Sequence, residues 1–224
     1  MRVERIGDAT LHLGDALELL QTLQGVDVVV ADPPYGAGMP YGYDDSREAL
    51  AELAPRWIEA ALTICPRVVC TPGVQNIWLY PEPTWTGCWT IPGAGLRGMW
   101  GFACWQPILF YGDDPHLGYR SGARPDIIVL TERAERNGHP CPKPIDFMRR
   151  LVDRVSLHGE CVCDPFMGSG TTGVACVQLG RRFIGIERNP LYFGIACRRI
   201  EQAQKQIALF PHEPVPKPVQ LNLA

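Results

Sequence analysis

Apolar and polar positions along the chain fall into a recurring order of short buried runs and longer stretches with helical spacing. Residues 3–13 alternate, with Gly7-Asp8 in the middle, which predicts a hairpin. Helical spacing follows over 15–23. Residues 26–31 form a valine-rich run that stops at Asp32-Pro33, the pattern of a strand buried on both faces. A helix is predicted over 46–63 with Ser46 as its N-cap, then a second buried strand over 67–71. Between about 72 and 125 the order breaks. That stretch is rich in Gly and Pro and holds five of the six tryptophans. Strands are predicted at 88–91, 104–110 and 126–130, joined by long loops. Order returns with a helix at 144–156, a strand at 161–163, a helix at 171–179, a strand at 182–186 and a helix at 190–207 opened by Pro190.

Strands alternating with helices imply an α/β fold with a mostly parallel, Rossmann-like sheet. In such sheets a ligand lies beyond the carboxyl ends of the strands. Residues 1–210 read as one domain with a small irregular insertion near 72–130, and 211–224 as a disordered, proline-rich tail. The tryptophans of the insertion (Trp78, Trp85, Trp89, Trp100 and Trp105) are expected in the core, although one on a loop would suit wedging between bases.

Composition narrows the picture only slightly. With 46% hydrophobic and 20% charged residues in 224, the chain has enough apolar material for a core. No run approaches the roughly 18 apolar residues of a membrane span. The start Met1-Arg2-Val3-Glu4-Arg5 lacks an apolar segment behind it, which predicts a cytoplasmic location. Nine cysteines occur without a C-x-x-C pair, so they read as small reduced hydrophobes and no metal site is expected. The formal net charge of −3 does not suggest a nucleic-acid binder, yet Arg133, Arg136, His139, Lys143, Arg149, Arg150 and Arg154 crowd one segment. A phosphate-binding patch and a solvated helix face are both open readings of that cluster.

Two predicted strand ends carry unusual sequences. The first is Asp164-Pro165-Phe166-Met167-Gly168-Ser169-Gly170-Thr171-Thr172, between a strand and a helix. Glycines there let the backbone turn sharply and approach a ligand. The next strand ends in Glu187, placed to accept hydrogen bonds from ribose hydroxyls. One close glycine pair, without G-x-G-x-x-G or G-K-S/T, points to a nucleoside rather than a dinucleotide and excludes a P-loop. The second strand end is Asp32-Pro33-Pro34-Tyr35. Its prolines fix two φ angles and remove two N–H donors. An exocyclic amine can give one hydrogen to the Asp32 carboxylate and one to the Pro33 carbonyl, turning its lone pair outward, while Tyr35 stacks on the base.

These two motifs together resemble the S-adenosylmethionine-dependent amino-methyltransferases of DNA, which modify adenine N6 or cytosine N4. The tetrapeptide precedes the glycine loop, which is similar to the beta-class order. His139-Pro140-Cys141-Pro142-Lys143-Pro144 resembles that family's His-Pro-x-x-Lys-Pro segment. The resemblance covers roughly residues 1–70 and 135–205. It implies a class I methyltransferase fold with circularly permuted motifs, the cofactor S-adenosyl-L-methionine, and double-stranded DNA as partner. It implies that Asp32, Pro33, Pro34 and Tyr35 hold the target base. The cofactor would be held by Asp164, Phe166, Gly168, Ser169, Gly170, Thr171 and Thr172, by Glu187 at the ribose, and by His139 and Lys143 near the methionine end. Asp15 matches an acid near the cofactor adenine, or simply caps the following helix.

Asp at position 32 leans toward adenine N6, with cytosine N4 as the alternative and a non-catalytic DNA-binding protein of the same fold as a further one. RNA and protein methyltransferases are disfavoured by the motif order. Gln206-Ile207-Ala208-Leu209-Phe210 resembles a sliding-clamp peptide, or is a helix end packed on the core. A homodimer is left open. Little of the middle segment remains for base reading, so a relaxed or very short recognition site is expected. Sequencing the modified positions in treated DNA checks this, and a long fixed site would overturn it.

Overall fold

The computed structural model describes residues 2–38, 43–91, 97–98, 100–117, 124–132, 135 and 137–209. Strands β1 (Arg2–Ile6) and β2 (Ala9–Leu13) form the expected antiparallel hairpin around Gly7-Asp8. Helix α1 (Ala16–Leu20) follows, then β3 (Val28–Ala31), α2 (Arg47–Ile64) and β4 (Val68–Cys70). A 3-10 turn at Val74–Leu79 precedes β5 (Trp85–Thr90), a two-stranded ribbon of β6 (Arg97–Gly98) and β7 (Gly101–Phe102), then β8 (Trp105–Tyr111) and β9 (Ile127–Val129). The chain closes with α3 (Ile145–Val155), β10 (Cys161–Asp164), α4 (Thr171–Leu179), β11 (Arg182–Glu187) and α5 (Pro190–Leu209).

Nine strands make one sheet in the order β1-β2-β11-β10-β3-β4-β8-β5-β9. The five central strands are parallel, and β8 enters antiparallel to both β4 and β5. The strands expected at 88–91, 104–110 and 126–130 are β5, β8 and β9, and they extend the same layer. Along β3 the side chains alternate, and both faces are covered. Val28 and Val30 join a core with α3, α4 and α5, while Val29 and Ala31 join a core with α1 and α2. All four are at most 1% exposed, as a parallel strand between two helical layers requires.

Local chemistry explains the helices. The Ser46 hydroxyl accepts from the Ala49 N–H and caps α2 as expected. Pro55 lies inside α2 but on its exposed face, where water can satisfy the carbonyl left without a donor. In α3, Phe147, Met148, Leu151, Val152 and Val155 form one buried stripe, and Trp89 stacks on Phe147 at 4.2 Å. Of the five insertion tryptophans expected in the core, only Trp89 is buried. Trp78, Trp85, Trp100 and Trp105 are 86%, 61%, 101% and 39% exposed. Trp85 and Trp105 lie on β5 and β8, Trp78 in the 3-10 turn and Trp100 in the turn of the β6–β7 ribbon, and their side chains stay exposed. The clamp-like segment runs on as the last turn of α5 to Leu209, and Phe210 and the proposed tail at 211–224 lie outside the described residues. No described helix is long and apolar enough to cross a membrane.

Trp57 is fully buried, edge-on to Tyr80 at 6.3 Å and to Phe166 at 5.5 Å. It ties α2 to the loop after β10. Trp57→Ala is expected to lower unfolding free energy by about 3–5 kcal/mol, read by urea denaturation.

Candidate active site

Parallel pairing of β3 with β10, Val28 opposite Val162 and Val29 opposite Cys163, sets the site. From β10 the chain turns through α4 to β11 on one side. From β3 it turns through α2 to β4 on the other. The crevice between the two carboxyl ends is where such a sheet binds ligands. The Asp32-Pro33-Pro34-Tyr35 turn leaves β3 there, and the loop 164–170 leaves β10 beside it. Together they wall a cavity of about 390 Å³. Every candidate residue from the sequence lines it except Gly170, which lies behind its wall.

The Asp32 carboxylate is held by three donors. Its Oδ1 accepts from the Tyr35 hydroxyl and from the Thr71 hydroxyl, both at 2.7 Å. Its Oδ2 accepts from Lys143 Nζ at 2.6 Å, and Lys143 also donates to the Tyr35 hydroxyl oxygen at 2.8 Å. Lys143 is thus placed on the turn after β3 as well as on the cavity wall. Burial, with the Asp32 carboxylate adding to it, pushes the Tyr35 hydroxyl well above the ordinary phenol range, so it stays a donor. Behind the turn, the Asn76 amide donates to the carbonyls of Tyr35 and Pro72 at 2.8 and 3.0 Å. The Asp45 carboxylate accepts from the N–H groups of Gly36 and Ala37. The turn is therefore fixed by side chains from outside it.

The glycine loop is built around two buried acids. Asp164 Oδ1 accepts from the Phe166 N–H at 3.0 Å and its Oδ2 from the Thr172 hydroxyl at 2.5 Å. Glu187 accepts from the Gly168 N–H at 2.9 Å and the Asn189 N–H at 2.6 Å. Burial raises the carboxyl pKa of both, that of Asp164 to about 7. Gly168 and Gly170 have φ of 51° and 79°. A Cβ on Gly168 would sit 3.0 Å from His139 Nε2, and one on Gly170 would sit 2.8 Å from Ala196 Cβ. Both positions therefore need glycine for conformation and for space. Arg199 of α5 donates to the Ser169 carbonyl at 2.7 Å and the Thr171 hydroxyl at 3.1 Å, and Asn137 donates to the Ser169 hydroxyl. His139 packs edge-on to Tyr192 at 4.6 Å, which folds the segment 139–144 over the loop.

Asp15 caps α1 and borders the cavity. Its carboxylate accepts from the Leu17 and Glu18 N–H groups and also lines the cavity. Three members of the basic cluster are paired with acids of the same chain. Lys143 pairs with Asp32, Arg149 with Asp146 and Arg154 with Asp114, while Arg133 and Arg136 lie outside the described residues. Sequence reasoning missed Thr71, Asn76, Asp45 and Arg199. Only Thr71 carried a signal, as the last residue of a predicted strand.

Comparison with known proteins agrees with this architecture. The fold is shared with the M1.HpyAVI–SAM complex, at a TM-score of 0.64 with 23% identity, covering 85% of this chain and 99% of that one. It is shared equally with the PvuII cytosine-N4-specific DNA methyltransferase, at a TM-score of 0.66 with 14% identity, covering 90% and 92%. The sheet and its cleft are thus of the class I methyltransferase type. A family model of DNA methylases of the N6/N4 type matches residues 71–198, and the chain belongs to that family. A relative described as the DNA adenine methyltransferase YhdJ of Escherichia coli is 27% identical over 246 residues, covering 87% of this chain and 83% of that protein.

The native state holds a proton on Asp164 over a range where the unfolded chain has released it. That contribution to stability is complete below the ordinary value of 3.8 and is lost as pH rises through about 7. Asp164→Asn is expected to flatten this part of the profile. Denaturation of both proteins at pH 5 and pH 8 checks it, and equal slopes would overturn it.

Proposed function

We propose that this DNA methyltransferase moves a methyl group from S-adenosyl-L-methionine to the N6 amine of adenine in double-stranded DNA. The observation that carries the reading is the meeting of two strand ends at one cavity, one bearing the Asp32 carboxylate and the other the glycine loop with Glu187 beyond it. Adenine is favoured over cytosine by the aspartate at position 32, and the name of the Escherichia coli relative agrees.

The residues present suit the cofactor. Gly168 brings bare backbone to the cavity wall, Gly170 lets the loop pack against Ala196 behind it, and Glu187 offers carboxylate oxygens at the wall for ribose hydroxyls. Phe166, Leu17 and Leu53 supply apolar lining for a flat ring. His139 and Thr171 also line the cavity. When bound, the sulfonium cofactor supplies an activated methyl group, so the protein's task is positioning.

The chain's own residues would do the rest. A base in a duplex must leave the stack, at a cost of about a few kcal/mol. Its amine then takes the place of Lys143 Nζ at Asp32 Oδ2, with the Pro33 carbonyl as second acceptor. Lys143 serves as a cationic stand-in that keeps the free carboxylate paired inside the cavity. The Tyr35 and Thr71 hydroxyls stay on Oδ1 and fix the orientation of the carboxylate while positive charge grows on the amine. A late proton can leave through Asp32.

Asp32→Ala is expected to lower methyl transfer by about 10²–10³-fold while cofactor affinity, measured by calorimetry, stays close to wild type. Loss of both would make Asp32 a structural residue. The decisive assay uses methyl-labelled cofactor and unmethylated DNA, with digestion to nucleosides and mass spectrometry. N6-methyladenine is expected. N4-methylcytosine would keep the geometry and overturn the base.

A further inference from the structure

Strands β5 and β8 do not end where the central sheet ends. Ala31 pairs with Cys70, Cys70 with Leu109 and Leu109 with Thr86, so these four residues share one level just below Asp32. From Thr86 the β5–β8 ladder continues in register to Thr90 opposite Trp105. At about 3.4 Å per residue this rises roughly 13 Å beyond that level. The Ile91 N–H still donates to the Cys104 carbonyl at 2.8 Å, and the chain then forms the β6–β7 ribbon, with Arg97 opposite Phe102 and Gly98 opposite Gly101. The rise is toward the carboxyl ends of β3, β4 and β10, the edge that bears the cavity.

The ribbon carries bare aromatic surface. Trp100, in its turn, is 101% exposed, and Phe102 is 70% exposed. A fully exposed indole at the tip of an arm forgoes about as much burial as a core tryptophan gains, so its place suits a contact made outside the chain. The chemistry around it selects the partner. From Ile91 to Trp105 the single charged residue is Arg97, and there is no carboxylate to repel phosphate. A flat ring of this size matches the height of a base pair, and side chains that wedge between base steps are large and apolar.

We infer that the β6–β7 ribbon is a DNA-contacting arm whose Trp100 stacks on or wedges into the duplex beside the target base. The inference rests on the proposed action on DNA and adds a partner contact that the cavity residues do not make. Unstacking at the target would be offset in part by the indole, which lowers the cost of bringing the base to Asp32.

Trp100→Ala and Trp100→Phe test it, since a side chain so exposed can be changed without loss of packing. Methyl transfer to unmethylated genomic duplex, binding of a fluorescein-labelled random-sequence duplex by anisotropy, and cofactor affinity by calorimetry are measured together. For Trp100→Ala, kcat/KM on duplex and duplex affinity are expected to fall about tenfold or more, with cofactor affinity unchanged. Trp100→Phe is expected to keep most of both. Wild-type kcat/KM and duplex affinity in Trp100→Ala would overturn the arm, and so would a parallel loss of cofactor affinity. A wild-type protein that methylates no DNA would instead fail the enzymatic reading, while the anisotropy comparison still decides the arm.

Discussion

Parallel hydrogen bonding between β3 and β10 is the constraint on which the rest of this protein depends. Two segments far apart in sequence each end in an acid, and each acid is followed by a proline. Pairing Val28 with Val162 and Val29 with Cys163 sets those ends side by side. Both helical layers serve that pairing, because a strand such as β3 can be apolar on both faces only if helices cover both. The cavity is a consequence of the chain leaving β3 and β10 in opposite directions.

A site built at such a point places carboxylates where water is scarce, and the structure meets that cost by several means. Asp32 has a cation and two hydroxyls. Asp164 has one backbone N–H and one hydroxyl, and is still pushed up to about 7 by burial. Glu187 has two backbone N–H groups aimed at it by the glycine loop and the turn after β11. Partners of different kinds leave the acids with different chemistry. In the proposed reaction an incoming amine displaces the Lys143 cation, whereas the backbone donors stay in place. The proposed role of Asp32 uses that difference, while Asp164 holds the loop.

The middle segment shows how one layer can do two things. In the sheet, β5, β8 and β9 lengthen the platform and bury Trp89 against Phe147. Beyond the sheet β5 and β8 lead into the β6–β7 ribbon, where Trp100 and Phe102 are exposed. The expectation that the insertion tryptophans lie in the core fails because aromatic residues are buried only where a second layer exists to meet them. No described helix covers Trp100 or Trp78.

Much of this was legible in the chain itself. Strand and helix positions on both flanks, the hairpin turn at Gly7-Asp8, the Ser46 cap and the two loop motifs all rest on local rules of periodicity, φ restriction and capping, which act over a few residues. Those rules also placed Asp32, Gly168 and Glu187 as site candidates. Tertiary structure alone decided what meets across distance. Thr71, Asn76 and Asp45 fix the turn after β3, Arg199 holds the glycine loop, and Lys143 reaches the Asp32 carboxylate rather than only the cavity wall. Such contacts depend on strand order and register, which are set by how layers pack, and no periodicity within one segment encodes them.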